Sequence, residues 1–66
     1  MRLVINGEEK QFTGITTLAS LVEQLGLKAD RLAIELNRDI VPRARWNETS
    51  LKEDDRLEIV HFVGGG

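Results

Sequence analysis

Arg56-Leu57-Glu58-Ile59-Val60-His61-Phe62-Val63-Gly64-Gly65-Gly66 is the stretch on which the reading of this chain turns. Leu57, Ile59 and His61 alternate with Glu58, Val60 and Phe62, the two-residue period of a strand whose successive side chains point to opposite faces. With Leu57 and Ile59 toward a core, Val60 and Phe62 fall on the other, solvent-facing side. The strand then runs straight into Val63 and three glycines, and its place in the sheet decides how that end is presented.

At the other end of the sequence, Leu3 and Ile5 share one side of a short strand, and Asn6-Gly7 follows. Both residues tolerate the positive φ of a type I′ turn, which predicts a hairpin with a second strand over Glu8 to Phe12. Leu18, Leu21, Val22 and Leu25 recur at i, i+3, i+4 and i+7, one stripe of a helix. Thr16 or Thr17 is placed to cap its first turn, and Gly26 to close its last in a left-handed conformation. Leu32, Ile34 and Leu36 alternate with Ala33 and Glu35 as a strand with one buried face. Asn37-Arg38-Asp39 turns the chain, and Ile40-Val41 is a short strand that Pro42 stops or confines to an edge. Trp46 to Leu51 reads as a connection with a helical turn, and Lys52 to Asp55 as a polar turn.

The order is hairpin, helix, two strands, final strand. One helix covers one face of a sheet this small. Insertion of the final strand beside the first, parallel to it, builds a central pair from Leu3, Ile5, Leu57 and Ile59. That arrangement is the β-grasp (ubiquitin-like) fold: α+β, a mixed sheet of about five strands with one helix packed on one face. The expectation is a single domain over 1–66, with 63–66 as a flexible C-terminal tail.

Sixty-six residues leave room for one small core. There is no cysteine to staple it or to act as thiol nucleophile, persulfide or metal ligand, and His61 is the lone histidine. A net charge of −2 with mixed signs speaks against nucleic acid, which needs a contiguous positive face; Arg38, Arg43 and Arg45 are a local exception. Apolar runs are far shorter than the ~20 residues of a membrane span, and Met1 to Ile5 carries no signal-peptide profile, so a cytoplasmic location is expected.

The body of the sequence offers no enzyme: no nucleophile with a supported base, no metal cluster, no phosphate-cradling loop. Asp54-Asp55 is read as a solvated turn and His61 as structural. The tail differs. Glycine lacks Cβ, so Gly64-Gly65-Gly66 can lie extended in a channel too narrow for side chains and leaves a terminal carboxylate unhindered. That carboxylate can attack the α-phosphate of ATP, and a sulfur nucleophile can then displace AMP to leave a thiocarboxylate on Gly66. The plain alternative is a frayed end or a cloning scar.

Met1 to Gly7, the helix region to Gly26, Leu32-Ala33-Ile34-Glu35-Leu36-Asn37, Ile40-Val41-Pro42-Arg43 with Trp46, and Glu58 to Gly66 together resemble the bacterial thiamine-biosynthesis sulfur carriers over essentially the whole chain. The terminal block is the specific part. The resemblance implies a non-enzyme, a protein co-substrate without bound cofactor or metal. An E1-like adenylyltransferase would use Mg-ATP to adenylate Gly66, a cysteine desulfurase system would provide sulfur, and thiazole synthase would accept it. The functional Gly-Gly pair maps onto Gly65 and Gly66. Val60, Phe62 and Val63 are candidate partner-binding residues, against which stands the reading of singly exposed hydrophobics. Arg38, Arg43 and Arg45 are either partner-facing or solvated, and Trp46 either packs at the core edge or joins an interface. Competing readings are the small subunit of molybdopterin synthase, a ubiquitin-like modifier that forms isopeptide bonds, and a β-grasp interaction module with an inert tail.

Overall fold

The computed structural model describes residues 1–62. Strand β1 (Arg2–Ile5) turns through Asn6 and Gly7, at φ 50° and 84°, into β2 (Glu8–Gln11), so the Asn-Gly pair forms the type I′ hairpin its sequence predicts. Helix α1 (Leu18–Leu25) begins at Thr17, whose hydroxyl accepts from the Ser20 amide while the Ser20 hydroxyl accepts from the Thr17 amide. This reciprocal cap uses serine where glutamate is more usual. The helix ends at Gly26, at φ 72°, whose position past the last turn needs a left-handed residue.

A 3-10 turn over Ala29–Arg31 leads into β3 (Leu32–Leu36), and a tight turn at Asn37 and Arg38 leads into the two-residue β4 (Asp39–Ile40). A 3-10 segment over Arg43–Glu48 carries the chain back beneath α1, and β5 (Arg56–His61) completes the sheet. The order across the sheet is β2-β1-β5-β3-β4. β5 runs parallel to β1 and antiparallel to β3, and the other neighbours are antiparallel. The final strand is therefore central, as the β-grasp reading requires.

Leu3, Ile5, Ile34 and Leu57 from the sheet meet Leu18, Leu21 and Val22 from α1, and Phe12, Ile15, Leu32, Trp46 and Leu51 close the rim; Ile59 is half-buried against this cluster. Burial of a side chain of this kind contributes about 1.5–3 kcal/mol. Trp46 packs rather than faces a partner: it is 3% exposed, and its indole N–H donates to the Val41 carbonyl at 2.8 Å. The edges are guarded, β2 by Glu8, Glu9 and Lys10 and β4 by its brevity and the following Pro42.

One local expectation fails. The Lys52–Asp55 turn is not wholly solvated, because Asp55 is 6% exposed and its carboxylate accepts from the Lys52 amide at 2.8 Å and from Asn37 Nδ2 at 3.0 Å. A buried carboxylate persists only where such donors replace water. Asp54, beside it, is exposed as expected and pairs with Arg2.

Candidate functional site

β5 is held along both edges by backbone and by two turn asparagines. On the β1 side, Val4 N–H donates to Asp55 O and Asn6 N–H to Leu57 O, each at 2.9 Å. β1 then turns away, and the Asn6 carboxamide continues the pairing, with Nδ2 donating to Ile59 O at 3.1 Å and Oδ1 accepting from Ile59 N–H at 2.8 Å. On the β3 side the register runs from Leu36 opposite Leu57 to Leu32 opposite His61. There Asn37 N–H donates to Arg56 O at 2.7 Å, and Asn37 Oδ1 accepts from Arg56 N–H at 3.0 Å.

Beyond the strand, Phe62 N–H donates to the Arg31 carbonyl at 2.7 Å. The chain is thus fixed as far as Phe62, the last described residue. Val63, Gly64, Gly65 and Gly66, together with the flexible tail expected over 63–66, lie outside the described residues.

Of the expected docking residues, Val60 is 55% and Phe62 54% exposed. Val60 stands opposite Ala33 on the open face of the sheet, whereas Phe62 lines a groove with Gly26, Leu27, Lys28, Arg31 and His61. The arginines separate. Arg38 lines a cleft with Arg56, Glu35 and Glu58, Arg43 lies beside Trp46 and Val22, and Arg45 pairs with Glu48 at 3.0 Å.

Asp54 and Arg2 form the shortest ion pair among the described residues, 2.6 Å from Arg2 Nε to Asp54 Oδ1. The hydrogen bond to Arg2 holds the Asp54 carboxyl below the ordinary carboxylate range, and the same bond raises Arg2. Among the described residues no cluster of three or more His, Cys, Asp or Glu side chains is placed to hold a metal, and no helix is long and apolar enough to cross a membrane. What this geometry can do is present: a braced central strand delivers its C-terminal end to the edge of the domain.

The sequence pattern of the ThiS family matches residues 3–66. This chain belongs to the ThiS family. The sulfur carrier protein ThiS of Bacillus subtilis is 37% identical over 67 residues, covering 97% of this chain and 98% of that protein. A thiazole synthase of Paramagnetospirillum magneticum is 42% identical over 66 residues, covering all of this chain but 20% of that protein, and one from Magnetococcus marinus gives the same coverage at 39%. The chain thus spans about one fifth of the length of these two relatives. The crystal structure of the ThiS thiamine biosynthesis protein of Geobacter metallireducens superposes with a TM-score of 0.83 at 29% identity over the whole of both chains. The β-grasp fold and the resemblance to the thiamine-biosynthesis sulfur carriers are both borne out.

Sequence reasoning missed three features of this ThiS-family chain: the bracing by Asn6 and Asn37, the buried role of Asp55, and the basic groove around Phe62. The first had a signal. Both asparagines sit in two-residue turns flanking the strands that border β5, and a left-handed asparagine has a carboxamide free for a neighbouring backbone. The other two depend on where loops meet, which no periodicity encodes.

Proposed function

We propose that this chain is a sulfur carrier whose reactive group is the α-carboxylate of Gly66, and that it is a co-substrate rather than a catalyst. An E1-like adenylyltransferase, using its own ATP and Mg²⁺, lets a Gly66 carboxylate oxygen attack the α-phosphate; pyrophosphate leaves and an acyl-adenylate forms. A thiol reduces the outer sulfur of a persulfide loaded by a cysteine desulfurase system, leaving a disulfide behind, and the hydrosulfide so released attacks the acyl carbon. AMP departs with the electrons of the C–O bond, and the thiocarboxylate remains. Thiazole synthase then accepts the sulfur, and the whole cycle runs in the cytoplasm.

The observation that carries this reading is the placement of β5: the strand that leads to Val63-Gly64-Gly65-Gly66 is the central one, paired on both sides and tied down to Phe62. A carrier needs a rigid handle and a side-chain-free end, because ordering each mobile residue in a partner's channel costs about 1–2 kcal/mol that body contacts must offset. Membership of the ThiS family favours the thiamine branch, and the likeness to a fifth of two thiazole synthases favours that enzyme as acceptor.

Intact mass spectrometry after incubation with the adenylyltransferase, Mg-ATP and a sulfide source is the test. A gain equal to the difference between sulfur and oxygen, located in the C-terminal peptide and absent without ATP, is expected. An unchanged mass with a functional enzyme sinks the reading.

A further inference from the structure

Gly26, Leu27, Lys28, Arg31, His61 and Phe62 line a shallow groove of about 360 Å³ where the end of α1 meets the exit of β5. Half of its lining is basic and none is acidic, although the chain as a whole carries a net charge of −2. Lys28, Arg31 and His61 are exposed, and none joins an ion pair among the described residues. Among the described residues, then, Lys28 and Arg31 do not neutralise an acid of the fold.

Cations near a helix C-terminus can offset its unpaired carbonyls. Here that end is already closed by backbone: Gly26 N–H donates to Glu23 O at 3.0 Å and Leu27 N–H to Val22 O at 3.3 Å. Position supplies a different reason for the charge. The Phe62 amide is bonded to the carbonyl of Arg31, so the chain leaves β5 along the wall of this groove. Residues 63–66 reach at most about 14 Å from there, at ~3.3–3.6 Å per residue. An enzyme that takes up Gly66 therefore works within about 14 Å of the groove.

We propose that the groove docks a carboxylate-rich segment of the partner that handles the tail, with Lys28, Arg31 and His61 meeting its acids and one apolar side chain covering Leu27 and Phe62. The inference rests on the proposed function only in naming that partner. A phosphate group is the weaker fit, because phosphate sites are built from free backbone N–H groups at helix N-termini or nests. The helix end here is a C-terminus, and the Gly26 and Leu27 amides are spent. Long exposed cations beside apolar surface suit instead the rim of a protein interface, where charge steers encounter and fixes orientation.

The full chain, labelled with ¹⁵N, is titrated with a synthetic peptide of four glutamates around one leucine and followed by amide chemical shifts. Changes should concentrate on Leu27, Lys28, Arg31, His61 and Phe62. Binding should weaken several-fold in the Lys28→Gln, Arg31→Gln double variant, and also as salt shortens the screening length from ~30 Å at 0.01 M to ~8 Å at 0.15 M. Both positions are exposed, and an unchanged melting curve verifies that the variant folds. Shifts centred on Arg38 and Arg56, scattered shifts, no shifts, or equal binding by the double variant overturn the proposal. Tighter occupancy of the groove by inorganic tripolyphosphate than by the peptide overturns it as well. Thiocarboxylate on Gly66 is read separately by mass, so loss of the groove leaves the carrier reading standing, and the converse.

Discussion

The Asn6 carboxamide pairs with the backbone of Ile59 as one more residue of β1 would, donating to its carbonyl at 3.1 Å and accepting from its N–H at 2.8 Å. Asn6 also occupies φ 50° in the hairpin turn, so one residue reverses the chain and extends the parallel ladder. The two roles separate by substitution. Asn6→Gly keeps the turn and removes both side-chain bonds, which are exposed, and should cost about 0.5–1.5 kcal/mol. Asn6→Ala adds the left-handed strain of about 1–2 kcal/mol. Urea denaturation should rank wild type above Asn6→Gly above Asn6→Ala, with faster amide exchange at Ile59 in both. Equal stability of wild type and Asn6→Gly would show that the bonds contribute nothing.

Arg38 is the non-glycine counterpart of Gly7, held at φ 75° in the turn between β3 and β4. Relief of its left-handed strain, about 1–2 kcal/mol, exceeds the extra unfolded-state entropy of glycine, about 0.5–1 kcal/mol. Arg38→Gly should therefore leave the domain equally stable or slightly more so in thermal melts. A clear loss would mean that the Arg38 side chain contributes more than its exposed position suggests.

Asp55 accepts two hydrogen bonds from a buried position, one from the Lys52 amide and one from the Asn37 side chain that also braces Arg56. Asp55→Ala orphans both donors and should destabilise by about 1–3 kcal/mol for each donor that water does not reach. Denaturant midpoints measure this, and a loss well under 1 kcal/mol would return Asp55 to the solvated turn that its sequence suggests.

Those three residues also mark the limit of what was legible beforehand. Leu57 and Ile59 reveal a strand by their spacing, and Asn6-Gly7 a hairpin by its chemistry, because both signals lie within a few consecutive residues. The centrality of β5 followed from the order of elements and the small sheet, and the terminal glycines named the candidate reactive end. Burial of Asp55 arises because the turn after Lys52 is folded under Asn37, 18 residues away. The basic groove needs Lys28 and Arg31 brought to His61 across the β3–β5 ladder. Neither meeting leaves a periodic trace.

Phe62, the last described residue, is half exposed, with its amide rather than its ring bonded to the fold. Phe62→Ala should leave the melting temperature nearly unchanged and weaken binding to the adenylyltransferase by about 1 kcal/mol or more, since truncated aromatic anchors are typical of interface losses of that size. Titration calorimetry reads it, and an unchanged dissociation constant removes Phe62 from the interface.

The Arg2–Asp54 pair gives a pH signature with a definite sign. Asp54 is held below its ordinary range in the folded chain by the hydrogen bond from Arg2, so the folded state binds this proton less readily than the unfolded state. The pair's contribution is therefore complete above the unfolded carboxyl value, near pH ~3.9, and is lost as pH falls through the folded one. The raised Arg2 contributes throughout accessible pH and would lose that contribution only as pH climbed into the range where arginine titrates, so it adds no pH dependence there. Both side chains are exposed, which keeps the effect small and salt-sensitive. Asp54→Asn should lie closest to wild type below the folded carboxyl value, and fall away from it as pH rises through the ordinary carboxylate range. Stability curves of wild type and variant that stay parallel across that range would show that the ion pair has no bearing on the acid behaviour of the domain.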